Sequence, residues 1–397
     1  MFLEPLRRRN PRLIETAIEL HQAGRLPANT YLIDLDAAEA NARLIRAAAD
    51  RANVKVFAMT KQMGRNAALC AALMRGGIDK AVAVDMACVR ACSRAGMAIG
   101  HLGHLVQVPH AEAGAAASVA PEYWTVFNQE KAEEAGRASK AAGRRQALLA
   151  RIQAPGDTFY LGHEGGFDAA QVLSVAAALD AIEGARFAGI TTFPALLFDA
   201  QSRAIKPTPN LLTLERAASA LAKAGRRSIE INAPGTTSST VVDALARAGA
   251  TQIEPGHGLT GTTPLHALEE LPETPAVVYV SEVSHFAGGR AYCFGGGLYI
   301  DPIFPPYEVK AIVSCEPTVQ ASALASVEIP PPSAIDYYGI IDAPLVRPRV
   351  GDTVVFGFRP QAFVTRALLA GVRGIASGPI SLDAIADGFG HPVDWPI

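Results

Sequence analysis

Cysteine is scarce in this sequence, and its pattern excludes a disulfide scaffold. The chain has 397 residues and five cysteines, an odd number, and no two of them form a Cys-x-x-Cys pair. Secreted scaffolds carry dense, even sets of cysteine instead. We therefore expect a cytoplasmic protein whose thiols are reduced, at Cys70, Cys88, Cys92, Cys293 and Cys315.

Charged residues and long apolar runs are also scarce. Charged residues make up 19% of the chain and the formal net charge is −2, which leaves no electrostatic footprint for nucleic acid or for a membrane surface. The N-terminal segment MFLEPLRRRNPRL has no apolar stretch after its basic residues, and no later run reaches the roughly 18 apolar residues of a spanning helix. We expect no signal peptide and no anchor, and a small molecule as the partner.

Short apolar runs alternate with helical segments over the first two thirds of the chain. Each run is strand-like, and an Ala- and Leu-rich segment separates most neighbours. Eight parallel strands with interleaved helices predict a closed α/β barrel of the TIM type. The eight runs are Val54–Met59, Lys80–Val84, Leu102–Val108, Tyr123–Phe127, Ala147–Gln153, Arg186–Thr192, Ser228–Asn232 and Thr251–Glu254.

The sequence pattern changes after Thr263. Apolar runs there alternate with Gly- and Pro-rich turns, which is typical of an all-β domain. A further run, Thr30–Asp34, has no partner in the barrel count and can return to this domain. We expect a barrel over residues 38–264 and a β-domain over 265–397, completed by an N-terminal strand from 1–37. The C-terminal runs are Ala276–Val283, Ala291–Phe294, Val309–Val313, Thr318–Val327 and Thr353–Phe358.

Lys61 closes the first barrel run, VKVFAMTKQ, where a side chain emerges at the top of a barrel. Active sites of such barrels lie at the carboxyl ends of the strands. Apolar walls disfavour an ammonium ion, which suits a lysine to imine formation. An isolated lysine at a strand end is more often simply solvated, so Lys61 gains weight only from its surroundings.

Two loops rich in glycine and hydroxyl residues follow the seventh and eighth runs. Barrels commonly hold phosphate at these two loops, through backbone N–H groups, hydroxyls and a helix start. An ordinary Ser/Thr helix cap is the simpler explanation for the first loop alone. Both loops together, with a strand-end lysine, suggest a phosphorylated carbonyl cofactor. Its candidate ligands are Asn232, Gly235, Thr236, Thr237 and Ser238 in the first loop, and Glu254, Gly256, His257 and Gly258 in the second.

At these residues the chain resembles the fold-type III pyridoxal-phosphate enzymes, the group of alanine racemase and eukaryotic-type ornithine decarboxylase. YLIDLDAAEANARLI is similar to the first segment of alanine racemases, FAMTKQ to their lysine strand, and IEPGHG to the Glu-Pro-Gly-Arg segment of the decarboxylases. The chain most resembles the YhfX-type, alanine-racemase-like proteins within this group.

The resemblance extends over nearly the whole chain and has several implications. It implies pyridoxal 5′-phosphate as the cofactor, bound as a Schiff base to Lys61. It implies phosphate contacts from Gly235 to Ser238 and from Gly256 to Gly258. It also implies a head-to-tail homodimer in which each β-domain completes the partner's active site.

Glu254 is the most informative match. The equivalent residue is Arg in alanine racemases, where the pyridine nitrogen is unprotonated, and Glu in the decarboxylase branch, where it is protonated. A protonated ring is the stronger electron sink. Glu254 is therefore compatible with racemisation, decarboxylation or retro-aldol cleavage. The simpler alternative is a strand-end glutamate paired with a neighbouring base.

Departures from the racemases are equally specific. Thr192–Phe193–Pro194 stands where racemases have Thr-His-Phe, so Phe193 is expected to pack against the cofactor ring without a polar atom. GHEGGF places His163 and Glu164 where racemases have an Arg that supports the phenolic oxygen, and we expect them to contact the substrate instead. Phe363 lacks the hydroxyl that relatives offer to the phosphate from a Tyr.

His101 and His104, in HLGHLVQV, resemble a pair of metal ligands. No further set of Cys, His or Asp has the spacing of a metal site, so we assign them a structural or pocket role and predict no metal. The His/Cys pair with which aldolases and dehydratases of this fold hold a metal is not evident.

Tyr337 and Tyr338, in AIDYYGIID, lie where relatives insert catalytic residues from the partner subunit. Tyrosines in a β-domain are more often core or interface residues. Racemisation needs opposed proton-transfer groups, so we predict an amino-acid racemase with Lys61 on one face and one of these tyrosines on the other. The alternatives are a decarboxylase, a D-amino-acid aldolase, and a non-catalytic protein of pyridoxal-phosphate homeostasis.

Overall fold

The computed structural model describes residues 1–304, 306–317, 324–342 and 347–396. Its strands, in chain order, are β1 (Thr30–Asp34), β2 (Lys55–Val56), β3 (Lys80–Ala83), β4 (Ala98–Leu102), β5 (Tyr123–Val126), β6 (Gln146–Gln153), β7 (Phe167–Asp168), β8 (Ala185–Thr191), β9 (Leu196–Asp199), β10 (Ala204–Pro207), β11 (Glu230–Asn232), β12 (Gln252–Ile253), β13 (Val277–Ala287), β14 (Arg290–Phe294), β15 (Lys310–Ser314), β16 (Leu324–Glu328), β17 (Tyr338–Asp342), β18 (Thr353–Phe356), β19 (Leu368–Arg373) and β20 (Ser381–Leu382).

The α-helices interleave with the strands of the first two thirds, as the sequence pattern predicts. They are α1 (Leu3–Arg9), α2 (Pro11–Gln22), α3 (Leu35–Ala52), α4 (Ala67–Arg75), α5 (Met86–Arg94), α6 (Ala113–Ser118), α7 (Gln129–Ala141), α8 (Val172–Asp180), α9 (Pro209–Lys223) and α10 (Val242–Arg247).

The chain divides into two compact units. The barrel unit comprises Ala42–Thr60 and Leu73–Gly256, and the β unit comprises Met1–Asn41, Lys61–Ala72 and His257–Ile397. Lys61 and His257 thus belong to the β unit in this division, whereas Glu254 belongs to the barrel unit.

A ring of parallel strands forms the barrel unit. The strand order is β2-β12-β11-β8-β6-β5-β4-β3, and a parallel bridge between Ala58 and Ala81 joins its two ends. The predicted eight-stranded barrel is therefore confirmed. Apolar side chains fill its interior around Phe57, Tyr123 and Leu149. Polar side chains lie at the carboxyl-terminal ends of the same strands.

One predicted barrel strand was wrong in position. The run Leu102–Val108 was expected to be a strand, but the strand is β4, which ends at Leu102, and the chain turns at Gly103 with a φ of +77°. Glycine usually weakens a strand, so Gly100 obscured it. In the barrel Gly100 is required, because a Cβ there would lie 2.2 Å from the ring of Phe57.

An antiparallel sheet organises the β unit. Its order is β14-β17-β16-β15-β18-β13-β1-β19-β20, and an additional pairing of β14 with β13 closes its first part into a barrel. β1 lies between β13 and β19, as its lack of a barrel partner led us to expect. Leucine and isoleucine side chains of α1 and α2 share a buried core with this sheet.

The remaining findings concern the cysteines, one C-terminal strand and the helices. Cys88 and Cys92 are buried on α5, and the five cysteines, all within the described residues, form no disulfide with one another. Of the predicted run 318–327, residues 318–323 lie outside the described residues, and β16 covers the rest. In the described part of the chain, no helix combines the length and apolar character needed to cross a membrane.

Candidate active site

Glu254 lies at the carboxyl end of β12, inside the barrel, with its side chain buried. Its Oε1 accepts a hydrogen bond from Nδ1 of His101, a residue of β4. His101 is fully buried, and its Nε2 lies 2.5 Å from Oγ1 of Thr125 on β5. Three strands thus contribute one side chain each to a continuous polar chain in the barrel interior.

A second arm of this network reaches Glu254 from the other direction. Asn232, at the end of β11, donates its Nδ2–H to Oε1 of Glu254 at 2.9 Å. Thr191, at the end of β8, donates its hydroxyl to Oδ1 of Asn232 at 2.7 Å. Asn232 was predicted to contact the cofactor, and in the structure its side chain holds Glu254 in place.

The network keeps Glu254 ionised despite its burial. Burial by itself raises the pKa of a carboxyl group, but attraction to His104 and His101 and the hydrogen bonds from His101 and Asn232 outweigh it and hold the pKa of Glu254 below its ordinary value. The Oε2 atom lies 3.4 Å from Nε2 of His104 and has no hydrogen-bond partner among the described residues. A buried carboxylate oxygen of this kind calls for a donor from outside the chain.

His101, His104 and Glu254 also form a group whose ligand atoms lie within 4.8 Å of one another, a grouping that could hold a metal ion. The sequence did not reveal it, because Glu254 lies far along the chain from HLGHLVQV. A direct hydrogen bond joins His101 to Glu254, whereas the ligands of a tetrahedral ion are spread around it at about 2.0–2.2 Å. The contact that the structure shows within this group is therefore a hydrogen bond.

Arg151, on β6, is the residue that the sequence analysis missed. Its side chain is fully buried, and its Nε and Nη1 have no hydrogen-bond partner within the described residues. Burial lowers the pKa of the guanidinium to about 10, an effect that Glu164 partly opposes, so Arg151 remains charged near neutral pH. A buried cation with two open N–H groups is a site for an oxygen anion.

Strand register places Arg151 beside the Glu254 network. Arg151 pairs with Thr191, and Thr191 pairs with Asn232, on neighbouring parallel strands. Paired positions of adjacent strands present their side chains on the same face of a sheet. Arg151, which can donate to an anion, and Glu254, which can accept from a donor, therefore lie on one interior face of the barrel.

An aromatic loop follows β6. The Tyr160 and His163 rings lie 5.9 and 6.2 Å from the ring of Phe193, and the Phe193 ring lies 5.4 Å from that of His104. Phe193 thus makes ring contacts that reach the Glu254 network through His104, and its packing against the cofactor ring stays a prediction. His163 also accepts a hydrogen bond at its carbonyl from Arg151. Glu164 is exposed.

The first predicted phosphate loop is built closely onto β9. A Cβ on Gly235 would lie 2.5 Å from the carbonyl oxygen of Leu196, so the glycine is needed for this approach. Ser238 precedes a short helical turn but does not cap it, and its hydroxyl contacts Thr240 instead. The hydroxyl of Thr237 donates to the carbonyl of Gly235 in the same loop at 3.3 Å. The hydroxyls therefore stay within the loop rather than being used up as helix caps.

Lys61 lies in the β unit at the start of a single helical turn, Lys61–Met63, rather than in a strand. Its Nζ lies 5.0 Å from the centre of the Phe363 ring, and the guanidinium of Arg65 lies 5.9 Å from the same ring. Phe363, which lacks the hydroxyl of its counterparts in relatives, is thus the aromatic contact of Lys61 within the β unit.

His257 is a partly buried residue of the β unit, and its Nε2 donates to the carbonyl of Pro360 at 2.9 Å. Burial, followed by the positive charge of Arg359, lowers the pKa of His257 well below its ordinary value, so the ring is neutral. Its remaining nitrogen is an acceptor, which a phosphate does not bind. A phosphate contact of His257 would therefore come from its backbone N–H, and the contacts predicted for Gly256 and Gly258 stay predictions.

Tyr337 and Tyr338 are surface residues of the β unit, with exposed fractions of 61% and 38%. Tyr338 begins β17 and packs edge-on against His285, while the guanidinium of Arg366 lies 5.3 Å from the Tyr337 ring. Neither tyrosine lies in the core of the described chain, so a core role is wrong, and a role at an interface stays a prediction.

Comparison with known proteins gives consistent results along the whole chain. Residues 33–264 match the family described as alanine racemase, N-terminal domain, and residues 278–382 match the family described as YhfX-like, C-terminal domain. The YhfX protein of Escherichia coli (strain K12) is 36% identical over 397 residues, which covers 98% of this chain and 99% of that protein.

Solved structures share the fold at low sequence identity. D-threonine aldolase from Filomicrobium marinum matches with a TM-score of 0.68 and 18% identity, over 92% of this chain and 96% of that one. D-threo-3-hydroxyaspartate dehydratase from Delftia sp. HT23 gives 0.65 and 14%, over 90% and 97%. Alanine racemase from Clostridium difficile 630 gives 0.63 and 13%, over 91% and 99%.

Proposed function

The chain belongs to the YhfX-like family, in which an alanine racemase N-terminal domain precedes a YhfX-like C-terminal domain, and on this premise we propose that it is a pyridoxal 5′-phosphate enzyme that racemises an amino acid. The observation that carries the proposal is the pair of open, buried groups in the barrel. Oε2 of Glu254 lacks a donor, and Nε and Nη1 of Arg151 lack an acceptor.

The cofactor fits both groups. Its pyridine nitrogen, when protonated, offers one N–H, and its phenolic oxygen carries negative charge. Oε2 of Glu254 would accept a hydrogen bond from the ring N–H. Arg151 would donate to the phenolic oxygen, which supplies the arginine that we did not identify in GHEGGF. When bound, pyridoxal phosphate supplies an electron sink for negative charge at Cα.

Other residues of this chain would hold the rest of the cofactor. Lys61 would attach it covalently, and once the substrate's amine had replaced the lysine on the cofactor, the released lysine amine would take a proton from Cα or return one. Phe193 would pack against the ring. Backbone N–H groups and hydroxyls of the two loops would hold the phosphate, namely Gly235, Thr236, Thr237, Ser238, Gly256, His257 and Gly258.

Racemisation also requires a proton-transfer group on the opposite face of Cα. We assign that role to Tyr337 or Tyr338 from a second copy of the chain, in a head-to-tail homodimer. Their exposure supports this assignment, because a residue that enters another subunit must lie at the surface. His163 and Glu164, on the loop tied to Arg151, would face the substrate.

The test is to incubate the cofactor-loaded protein with single L- and D-amino acids in deuterated solvent. Exchange at Cα together with loss of chirality supports a racemase. Release of carbon dioxide indicates a decarboxylase, and release of an aldehyde with glycine indicates an aldolase, because Glu254 stabilises charge at Cα however it arises. Bound cofactor without any of these reactions indicates a binding protein and would overturn the enzymatic proposal.

A further inference from the structure

The polar chain that runs from Thr125 through His101 to Glu254 has a defined direction. An ionised carboxylate only accepts hydrogen bonds, so His101 carries a proton on Nδ1. The Thr125 hydroxyl, 2.5 Å from the other ring nitrogen, can then donate to the lone pair on Nε2. In this arrangement both ring nitrogens of the buried imidazole have a hydrogen-bond partner.

His101 is bound to the oxygen of Glu254 that the proposed ring nitrogen does not use. Asn232 donates to the same oxygen, Oε1, and is itself held by Thr191. Two donors on one oxygen fix the plane of the carboxylate and leave Oε2 as the open acceptor. They also stabilise its negative charge in a place where burial would otherwise favour the neutral acid.

We infer that His101 is a positioning residue that keeps the proton shared between Glu254 and the pyridine nitrogen on the nitrogen. The inference rests on the proposed function, since it requires the bound cofactor. In such a pair the proton resides on the more basic partner, and a hydrogen bond to the carboxylate makes the carboxylate less basic. Loss of the His101 bond would shift the proton toward Glu254 and weaken the ring as an electron acceptor.

Two substitutions of similar size separate this role from a packing role. His101→Asn places an amide N–H near the position of Nδ1, where it can still donate to Glu254. His101→Gln places its amide near the position of Nε2, toward Thr125 and away from Glu254. Both variants lose the imidazole ring, so any effect of lost packing is common to them.

The first measurement uses the protein reconstituted with pyridoxal phosphate that carries ¹⁵N in the ring. The ¹⁵N resonance distinguishes a protonated from a neutral ring nitrogen without any turnover. We expect a protonated ring in the parent and in His101→Asn, and a resonance displaced toward the neutral form in His101→Gln. Turnover should fall roughly ten- to hundredfold in His101→Gln only, the factor expected for one bond to a charged group.

Three results would overturn the inference. They are a parent whose ring nitrogen is already neutral, a His101→Gln variant with the parental resonance, and equal displacement in both variants. A parent that does not bind the cofactor at Lys61 would instead contradict the proposed function.

The second measurement needs no cofactor, so it can fail independently. In the cofactor-free protein, the side-chain carboxyl of Glu254 is followed by ¹³C resonance as the pH is lowered. We expect Glu254 to take up its proton at higher pH in His101→Gln than in His101→Asn. Identical titrations of the two variants would show that His101 does not hold the charge of Glu254.

Discussion

Arg151 donates a hydrogen bond of 2.5 Å from Nη2 to the backbone carbonyl of His163. This bond ties the aromatic loop after β6 to a side chain in the barrel interior. It uses one nitrogen of the guanidinium and leaves Nε and Nη1 without a hydrogen-bond partner among the described residues. The residue that holds this loop therefore also carries the open donors of the barrel interior.

Arg151→Gln should weaken the binding of pyridoxal phosphate. Bonds from a charged donor to a buried anion are worth about 1.5–3 kcal/mol each, so the dissociation constant should rise roughly ten- to hundredfold or more. Arg151→Lys keeps the charge but not the planar fork, and should fall between parent and Gln. Cofactor fluorescence titration measures the effect. An unchanged dissociation constant would remove Arg151 from the cofactor site.

A matched control is Arg145→Gln. Arg145 is an arginine of the same barrel region whose Nε donates to the carbonyl of Ala185. It has no open buried nitrogen among the atoms described. Its substitution should leave cofactor affinity within about twofold of the parent, since exposed substitutions away from a site have small effects.

The sequence predicted the strands of the barrel because each is a short apolar run between helical segments. It also predicted that Glu254 and the loop at Gly235 follow neighbouring strands. β4 was misplaced, because Gly100 and His101 interrupt its apolar pattern for reasons that involve Phe57 and Glu254, which are distant along the chain. Contacts of this kind have no local signal.

Arg151 also escaped the sequence analysis, although its position does have a local signal. It stands in the apolar run LLARIQ, where a charged residue on the inner face of a buried strand is itself a signal. The alternation of the strand could have found it: Ala147 and Leu149 belong to the interior cluster, and Arg151 is the next residue on that face. The hydrogen bond of Asn232 to Glu254, by contrast, depends on strand order and could not be predicted locally.

Glu254→Gln should lower turnover while the cofactor stays bound. The substitution keeps the size of the side chain and removes the charge that holds a proton on the ring nitrogen. A charge-assisted bond in a buried site is worth about 1.5–3 kcal/mol, which corresponds to a fall of roughly ten- to 150-fold. Cα exchange in deuterated solvent, measured on variants saturated with cofactor, gives the result.

Glu122→Gln is the control for this substitution, because Glu122 pairs with Lys80 before β5 and lies outside the Glu254 network. It should retain parental turnover. If Glu254→Gln binds cofactor and turns over like the parent, Glu254 is not the ring-nitrogen partner.

His257 makes the protein sensitive to acid. Its pKa is well below the ordinary value in the folded chain, mainly because the ring is buried, so the unfolded chain binds a proton that the folded chain excludes. Stability is therefore lost as the pH falls below about 6.5, the pKa of an unperturbed histidine. His257→Gln, which can still donate to Pro360, should show a smaller loss of Tm between about pH 7 and about pH 5. Equal losses in parent and variant would contradict this assignment.

Mixing two inactive variants tests the shared active site. One subunit carries Lys61→Ala and the other carries Tyr337→Phe with Tyr338→Phe. In a head-to-tail dimer, each mixed pair contains one complete site, so random exchange should restore about a quarter of parental activity. Mass spectrometry under native conditions verifies that the subunits exchange. Verified exchange without any recovery would refute the contribution of these tyrosines from a partner.

The attachment of the cofactor to Lys61 tests the central claim most directly. Protein loaded with pyridoxal phosphate is treated with borohydride, digested and mapped by mass spectrometry. The account predicts one reduced pyridoxyl adduct, on the peptide that contains Lys61, and no stable adduct in Lys61→Ala. Lys55→Arg, altered in β2, six residues before Lys61, should label like the parent. A Lys61→Ala protein that forms the same adduct, or a parent labelled at another lysine, would contradict the account.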